Sequence, residues 1–460
     1  MTTRPAEKTD LLVVGAGPTG LAAACDALRH GLSVRVVERR PSRAEHSKAL
    51  VLHARTLEVL EVMGCAEALV AAGQRFRALH VRTATDATPV RVDLEQRRWG
   101  DTKYPFWLSL PQYETERILE RRLEALGGAI DWGTELTSLV DGPGGVAVTL
   151  SSERGLQTHH ARWVLGCDGG RSLTRDLLGI ALPREELDLT FALADVHTRC
   201  ALVEDEGHVV MTADGVLLIV PMPERGLWRL IAQVPRDAAL DDPAAWNALV
   251  LERAGLDLGV HRLGWSSRFT LTSGVAARFR KGNVFLLGDA AHVHSPVGGQ
   301  GLNTGVQDAH NLVWKLALHR RAALDEAARE ALLESYEQER RPTALAMVGT
   351  TATATRLLTL RSPVARWLRS RAAWLALRLP FVQDRLARGV GMLDLLTDGQ
   401  PRLPNPELGG GARLHDRVHA LLPTALRWQG QELLVRPDRV LARPHLFPAD
   451  VAVAARGEPS

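Results

Sequence analysis

Gly15-Ala16-Gly17-Pro18-Thr19-Gly20 follows the apolar run Leu11–Val14 and opens Leu21–Arg29, a stretch of helical composition. In such a turn each glycine has its own task. Gly15 permits the tight bend, Gly17 lets the backbone approach a pyrophosphate, and Gly20 allows close packing of helix on strand. The N-terminus of the helix then offers free N–H groups and a positive dipole end to phosphates. Gly31 stands where a helix-terminating glycine belongs, and valine-rich Ser33–Glu38 reads as a second strand. Glu38 closes it 18 residues after Gly20, where a carboxylate accepts from ribose hydroxyls. Strand, glycine turn, helix and acid together predict a dinucleotide cradle rather than an ordinary glycine turn.

Two further stretches could hold the rest of such a ligand. Val284–Leu287 is an apolar run that ends in Gly288-Asp289, so the carboxylate falls at the C-terminal edge of a strand. Ligands of doubly wound folds bind along that edge. Pro296-Val297-Gly298-Gly299-Gln300-Gly301-Leu302-Asn303 follows, then a strong helix over Ala309–Leu318, which makes a second cradle for negative charge. Trp163–Leu165 is a third apolar run, followed by Cys167-Asp168-Gly169-Gly170-Arg171-Ser172 and Arg175. An Asp and an Arg beside a nucleotide suggest ribose and phosphate contacts, although alone the motif is an ordinary Asp-Gly turn.

The elements that must position these residues form two textures. Arg55–Met63 and Glu114–Leu126 read as helices of an α/β framework. Between Thr190 and Arg278, short strand-like segments (Phe191–Val196, Val216–Val220, Leu227–Val234, Trp265–Thr270) alternate with turns, which predicts an antiparallel sheet inserted into the nucleotide framework. From Arg356 to Arg388 there are eight Arg and one Asp among Trp367, Leu368, Trp374, Leu375, Leu377 and Leu379. A basic amphipathic stretch can lie on a membrane. The reading favoured here is a surface helix, split by Pro363 and Pro380, whose arginine stems pack along the nucleotide domain.

Composition narrows the function. The 460 residues carry 56 Lys+Arg against 53 Asp+Glu, net +3, too small an excess for a dedicated nucleic-acid binder. Cys25, Cys65, Cys167 and Cys200 lie far apart, which fits reduced thiols in a cytoplasmic protein. The polar start MTTRPAEKTD is not a signal peptide, and no apolar run is long enough to span a bilayer. His292 and His294 form an H-x-H pair with no third ligand in sight, so no metal is expected. The G-x-S-x-G elbow of the α/β-hydrolases is missing.

The three glycine motifs together resemble the single-component, FAD-dependent aromatic hydroxylases of the p-hydroxybenzoate hydroxylase type, in the branch that acts on polyketide aromatics, phenols and rifamycins. The likeness runs from about Asp10 to Pro342 and includes His46-Ser47-Lys48-Ala49, Ala54-Arg55-Thr56-Leu57-Glu58, Leu110-Pro111-Gln112, Thr115-Glu116 and Tyr336-Glu337-Gln338-Glu339-Arg340-Arg341-Pro342. It implies an α/β fold: a Rossmann-like FAD-binding domain, an inserted antiparallel-sheet substrate domain and a C-terminal helical extension. The expected division is 1–75, 107–183 and 280–342 for FAD, 76–106 and 184–279 for the substrate sheet, and 343–460 for helices and a shortened tail. Leu434-Val435-Arg436-Pro437-Asp438 resembles the last strand of the thioredoxin-like domain of some members, and Arg413-Leu414-His415-Asp416 its start. The bridge between them is too short for more than a remnant.

The resemblance also implies roles. Gly15, Gly17, Gly20, Glu38 and Arg39 would hold the ADP half of FAD. Gln112 and Arg117 would reach the ribityl and pyrophosphate, and Gly288 and Asp289 the ribityl and phosphate. Pro296, Gly299 and Gly301 would flank the isoalloxazine ring, with amides around Leu302 and Asn303 at its pyrimidine edge. Asp168 and Gly169 belong to a motif associated with both FAD and NAD(P)H. Arg43, His46 and Lys48 would lie near cofactor phosphates. NAD(P)H is the implied co-substrate and, with one dinucleotide fingerprint in the chain, a transient visitor. The reduced flavin would form a C4a-hydroperoxide that hydroxylates an electron-rich ring, so no protein acid or base is assigned. Phe191, Leu218, Pro221 and Trp228, with Met211 and Met222, are candidate lining for a large phenolic or polyketide-type substrate, since alternation sends half of them inward. A small carboxylic acid would need a fixed arginine instead. Monomer and homodimer both stay open. The rival functions are a flavin halogenase, whose Trp-x-Trp-x-Ile-Pro motif is missing, and a non-catalytic FAD-binding or drug-sequestering protein.

Overall fold

The computed structural model describes residues 8–83, 88–294, 298–322, 324–360 and 362–394, much of 407–440, and 453–454. In chain order the elements that matter are β1 (Lys8–Val14), α1 (Pro18–Arg29), β2 (Val34–Glu38), α2 (Gln112–Ala125), β3 (Gly155–Gly166), β4 (Arg184–His197), β5 (Gly215–Pro221), β6 (Leu227–Val234), α3 (Pro243–Ala254), β7 (Arg262–Val275), β8 (Val284–Leu286), α4 (Gly301–Arg321), α5 (Glu326–Leu358), α6 (Pro363–Ala376) and α7 (Pro380–Val390).

One sheet runs β8-β3-β1-β2 in parallel, with Ile130–Trp132 added parallel to β2 and Arg280–Lys281 antiparallel to β8. Its strands read as continuous apolar runs because helices cover them: Leu11, Leu12, Val13, Val36, Val164 and Phe285 are all buried. β1 sits at the centre, so the turn after it opens where the strand order reverses. The apolar run at Trp163–Leu165 proves to be the last part of a twelve-residue strand. Its first half hairpins antiparallel with Gly145–Ser152, away from the cradle. α1 lies between α4 and α2, packed through its alanines.

The second sheet is ordered β7-β4-β6-β5, then Glu206–Thr212, Ala78–Arg82 and Val90–Asp93. It is antiparallel except at one place. Glu206–Thr212 pairs parallel with Ala78–Arg82, because that strand arrives from a separate excursion of the chain and no hairpin sets its direction. One face of the sheet, with Ala192, Ala194, Leu217, Ile219, Trp228 and Leu230, packs on α3 through Trp246 and Val250. The other face turns toward the first domain.

The boundary expected at residue 342 falls inside α5, a continuous helix with Pro342 in its interior. The proline removes one helical hydrogen bond. The helix stays anchored on the near side, where the Tyr336 hydroxyl donates to the Leu286 carbonyl at 2.7 Å. Pro363 and Pro380 each begin a helix, as expected. In the tail, Thr424–Trp428 pairs antiparallel with Gln431–Val435 and parallel with Val453–Ala454. Leu414 and Asp416 of the expected domain start lie outside the described residues. Among the described residues no helix is long and apolar enough to cross a membrane.

Candidate functional site

The C-terminal ends of β1, β2, β3 and β8 bring all three glycine motifs to one edge. Gly15 adopts φ +103°, and a side chain there would strike the Cys167 carbonyl on the neighbouring strand. A side chain at Gly20 would strike the Gly15 carbonyl. At Gly17 a Cβ would meet nothing within 4 Å. The loop is therefore closed beneath Gly15 and Gly20 and open above Gly17. Gly17 caps α1, and the first helical bond runs from Leu21 N–H to its carbonyl, so Thr19 and Gly20 present amides without helical acceptors. That open space fits a pyrophosphate.

Glu38 stands beside this loop. Its Oε2 accepts from the Ala16 amide at 2.9 Å, and its Oε1 from the Arg40 amide and Nε, both at 3.0 Å. Burial raises this carboxyl, but the bonds from Arg40 and Ala16 outweigh it and hold it below its usual range. Arg39 points into solvent, and the arginine at the acid is Arg40.

Asp289 lies exposed in a short 3-10 turn directly after β8. Gly288 adopts φ +57°, a side chain there would also press on Thr19 of α1, and Gly305 of α4 approaches the same Thr19. Thr19 thus keys both glycine motifs to the first helix. Behind Asp289, Asp308 accepts from His292 Nε2 at 2.7 Å, the Gly288 amide at 3.2 Å and Arg340 Nε at 2.6 Å. Burial raises Asp308, yet Arg340 and His292 keep it ionised. One half of the H-x-H pair is thus engaged in fixing the turn.

Gly298 and Gly299 both adopt positive φ, and α4 starts at Gly301 with Leu302 following. Pro296 lies outside the described residues. The first bond of α4 runs from the Thr304 amide to the Gln300 carbonyl, which leaves the amides of Gly301, Leu302 and Asn303 free of helical acceptors. The Asn303 side chain is buried and engaged. It accepts from the His53 amide at 2.9 Å and donates to the Val51 and Gly299 carbonyls, both at 2.8 Å. His53 Nε2 donates to the Gly298 carbonyl at 2.7 Å, and burial lowers its pKa to about 4, so the ring is neutral.

Several expected contacts lie elsewhere. The Asp168 carboxylate caps a short helix, accepting from Ser172 Oγ at 2.5 Å and from the Thr174 amide and hydroxyl, both at 2.9 Å. Gly169 follows at φ +78°. Arg175 is buried and donates to the Gly170 and Ala290 carbonyls, tying two motifs together rather than facing a phosphate. Gln112 donates to Glu116 at 2.8 Å, Arg117 pairs with Glu114, and Arg43 pairs with Glu120 at 3.1 Å. Lys48 faces the second sheet, with Nζ 4.9 Å from the Phe269 ring centre, and His46 stacks on Trp265.

On that sheet, register sorts the substrate candidates. Phe191 pairs with Phe269, and Leu218 pairs with Ile231, on the face toward the first domain. Pro221 pairs with Trp228 on the α3 face, and Trp228 is core there. These two are corrections, set by the two-residue period of the strand. The inward face also carries an arginine. Arg229, fully buried, donates Nε to Asp195 Oδ1 at 2.7 Å and Nη2 to Oδ2 at 2.8 Å. Its Nη1 donates to the Lys48 carbonyl at 2.9 Å, in the loop that leads to Val51 and His53. The alternation Trp228, Leu230, Ala232 already placed Arg229 on the opposite face, opposite Asp195 in Ala194-Asp195-Val196.

The FAD binding domain family matches residues 8–351. The 6-methylpretetramide 4-monooxygenase of Streptomyces rimosus is 38% identical over 365 residues, covering 78% of this chain and 64% of that protein. This chain thus spans less than two thirds of that relative. A rifampicin monooxygenase of Rhodococcus hoagii is 31% identical, covering 94% of both chains. Among solved structures, an anhydrotetracycline hydroxylase from Streptomyces rimosus is similar with a TM-score of 0.77 and 30% identity, covering 95% of both chains. The motifs, the cradle above Gly17 and these matches agree with the resemblance read from the residues. The chain belongs to the FAD binding domain family of monooxygenases, and FAD is its cofactor.

Proposed function

We propose that this chain is a cytoplasmic, NAD(P)H-dependent monooxygenase that hydroxylates a large phenolic or polyketide-type aromatic compound. The observation that carries this reading is the face of the second sheet opposite α3, where register brings Phe191, Leu193, Leu218, Ile231 and Phe269 together. Its one arginine is neutralised in two bonds by Asp195. Lys48 Nζ lies over the Phe269 ring at its margin, and a flat apolar ring gains from burial against these side chains. The names of the relatives, a 6-methylpretetramide monooxygenase and a rifampicin monooxygenase, support the same class.

FAD, when bound, supplies electron uptake from NAD(P)H and activation of dioxygen. The Thr19 and Gly20 amides would receive its pyrophosphate, and Glu38 its ribose hydroxyls. Asp289, exposed at the strand end, would accept from hydroxyls of the ribityl chain. The amides of Gly301, Leu302 and Asn303, with the α4 dipole behind them, would stabilise negative charge on the reduced ring. Asn303 and neutral His53 hold that turn in place without donating charge. In this reading 1–75, 107–183 and 280–342 bind the cofactor, while 76–106 and 184–279 present the substrate.

Substrate-stimulated NAD(P)H oxidation under labelled dioxygen tests the proposal. Label in a hydroxylated polycyclic phenol is the expected result. NAD(P)H oxidation that leaves every aromatic compound unlabelled points to a sequestering protein, and chlorination in the presence of chloride points to a halogenase. Asp289→Ala is expected to give a folded protein that loses FAD on gel filtration; retention at the parent level would make Asp289 a turn residue only.

A further inference from the structure

α6 is packed inside out. Its Arg366 and Arg369 face the body of the molecule: Arg366 donates to the Ala213 carbonyl at 2.9 Å and Arg369 to the Leu358 carbonyl at 2.8 Å. Ser370 on the same side donates to the Thr83 carbonyl at 2.5 Å. The apolar residues point the other way. Val364, Trp367, Leu368 and Leu375 stand on one outward stripe, continued by Leu379 and Phe381 at the start of α7. Trp367, Leu375 and Phe381 expose 59%, 61% and 67% of their surface, and no residue of α6 is buried. Among the described residues, nothing covers this stripe. A surface helix of a monomer in water turns such a stripe inward.

Charge identifies what fits the stripe. Arg371 and Arg378 sit along it, 5.8 Å and 3.6 Å from the ring centres of Trp367 and Trp374, with Arg385 beyond. α6 contains no acid, and Asp384 of α7 is engaged by the Arg98 amide at 3.1 Å and by Arg97 at 3.5 Å. A second copy would set these arginines against themselves across a two-fold axis. Tryptophan, leucine and phenylalanine flanked by arginines suit the boundary between acyl chains and anionic headgroups, where apolar side chains insert and guanidinium groups stay at phosphate level. We propose that the outward face of α6 and the start of α7 dock this enzyme on an anionic lipid bilayer, peripherally and reversibly.

The test is flotation of the FAD-loaded protein with vesicles of phosphatidylglycerol or of phosphatidylcholine. Flotation with phosphatidylglycerol, weakened by salt, is expected. The triple variant Trp367→Ser, Leu375→Ser, Phe381→Ser should lose it at least tenfold with FAD content unchanged. Arg371→Ala and Arg378→Ala should each weaken it about fivefold. The proposal is overturned if the protein stays in solution with phosphatidylglycerol at low salt, or if the triple variant floats like the parent. It is also overturned if sedimentation of the parent shows a dimer that Trp367→Ser dissolves, which would make the ridge a subunit interface.

Discussion

At the scale of single residues, two glycines three positions apart answer to different constraints. Gly17 has extended backbone torsions that any residue adopts and open space where its side chain would grow. Gly17→Val should therefore fold, with a melting temperature of the FAD-free protein within a degree or two of the parent, and bind no FAD. Gly20→Val should fail earlier, because the new side chain meets the Gly15 carbonyl, and the expected readout is insoluble or unstable protein. A Gly17→Val protein that stays yellow would show that the pyrophosphate does not cross this loop. Arg229 is the other residue with a decided role. Removing it strands the buried Asp195 charge, so Arg229→Met should cost about 3–5 kcal/mol in denaturant unfolding. The double change Arg229→Met, Asp195→Leu should recover much of that loss. Equal losses in both proteins would show that packing, not charge, is what Arg229 supplies.

At the scale of elements, the start of α4 is the part whose position matters most. Asn303 joins three separate pieces of chain there: the His53 amide, the Val51 carbonyl and the Gly299 carbonyl. Asp cannot donate to either carbonyl. Asn303→Asp should loosen the Gly298–Gly299 turn at a cost of about 1–3 kcal/mol, and it adds a negative charge beside amides read as donors to an anionic ring. We expect weaker FAD binding by fluorescence titration and a lower flavin reduction potential; a potential at the parent value would separate this turn from the ring. The helix itself was legible from Ala309–Leu318, but not its early start at Gly301. The contact of Gly305 with Thr19 explains why a glycine lies inside the first turns of the helix.

At the scale of the whole molecule, the tail is tied into the nucleotide domain by a buried ionic cluster. Arg436 pairs with Glu339 of α5 at 2.7 Å and with Asp438 at 2.5 Å, Lys315 of α4 reaches Glu339 at 3.0 Å, and Arg55 donates to the Asp438 carbonyl at 2.6 Å. Burial raises Glu339, but Lys315 and Arg436 outweigh it and hold the carboxyl at about 2, against an ordinary 4.5. The folded value lies below the unfolded one. Its stabilisation is therefore complete above about pH 4.5 and lost as pH falls toward about 2. The loss amounts to no more than about 3 kcal/mol. Unfolding midpoints measured between pH 5 and pH 2.5 should fall more steeply for the parent than for Glu339→Gln; parallel curves would assign the acid sensitivity to other carboxylates, such as Asp26.

The dinucleotide cradle was legible in the residues because its physics is local. A glycine turn, a helix N-terminus and an acid at the next strand end lie within one β–α–β unit, and their spacing alone sets what can bind. Asp289 was legible for the same reason, as a carboxylate directly after a short apolar strand. The contacts of Asp168, Arg175 and Lys48 were not legible, because each has several neighbours within reach and only the folded chain shows which one it meets: a helix cap, two carbonyls and the Phe269 ring. The Arg229–Asp195 pair and the Arg436–Glu339 pair join residues 34 and 97 positions apart. Periodicity assigns a face to each residue, but not a partner, since partners across sheets and domains depend on register and docking. The arginine-rich stretch shows the same limit. Its composition was plain, yet which side of α6 met the body was decided by the carbonyls of Ala213, Leu358 and Thr83, which no local pattern encodes.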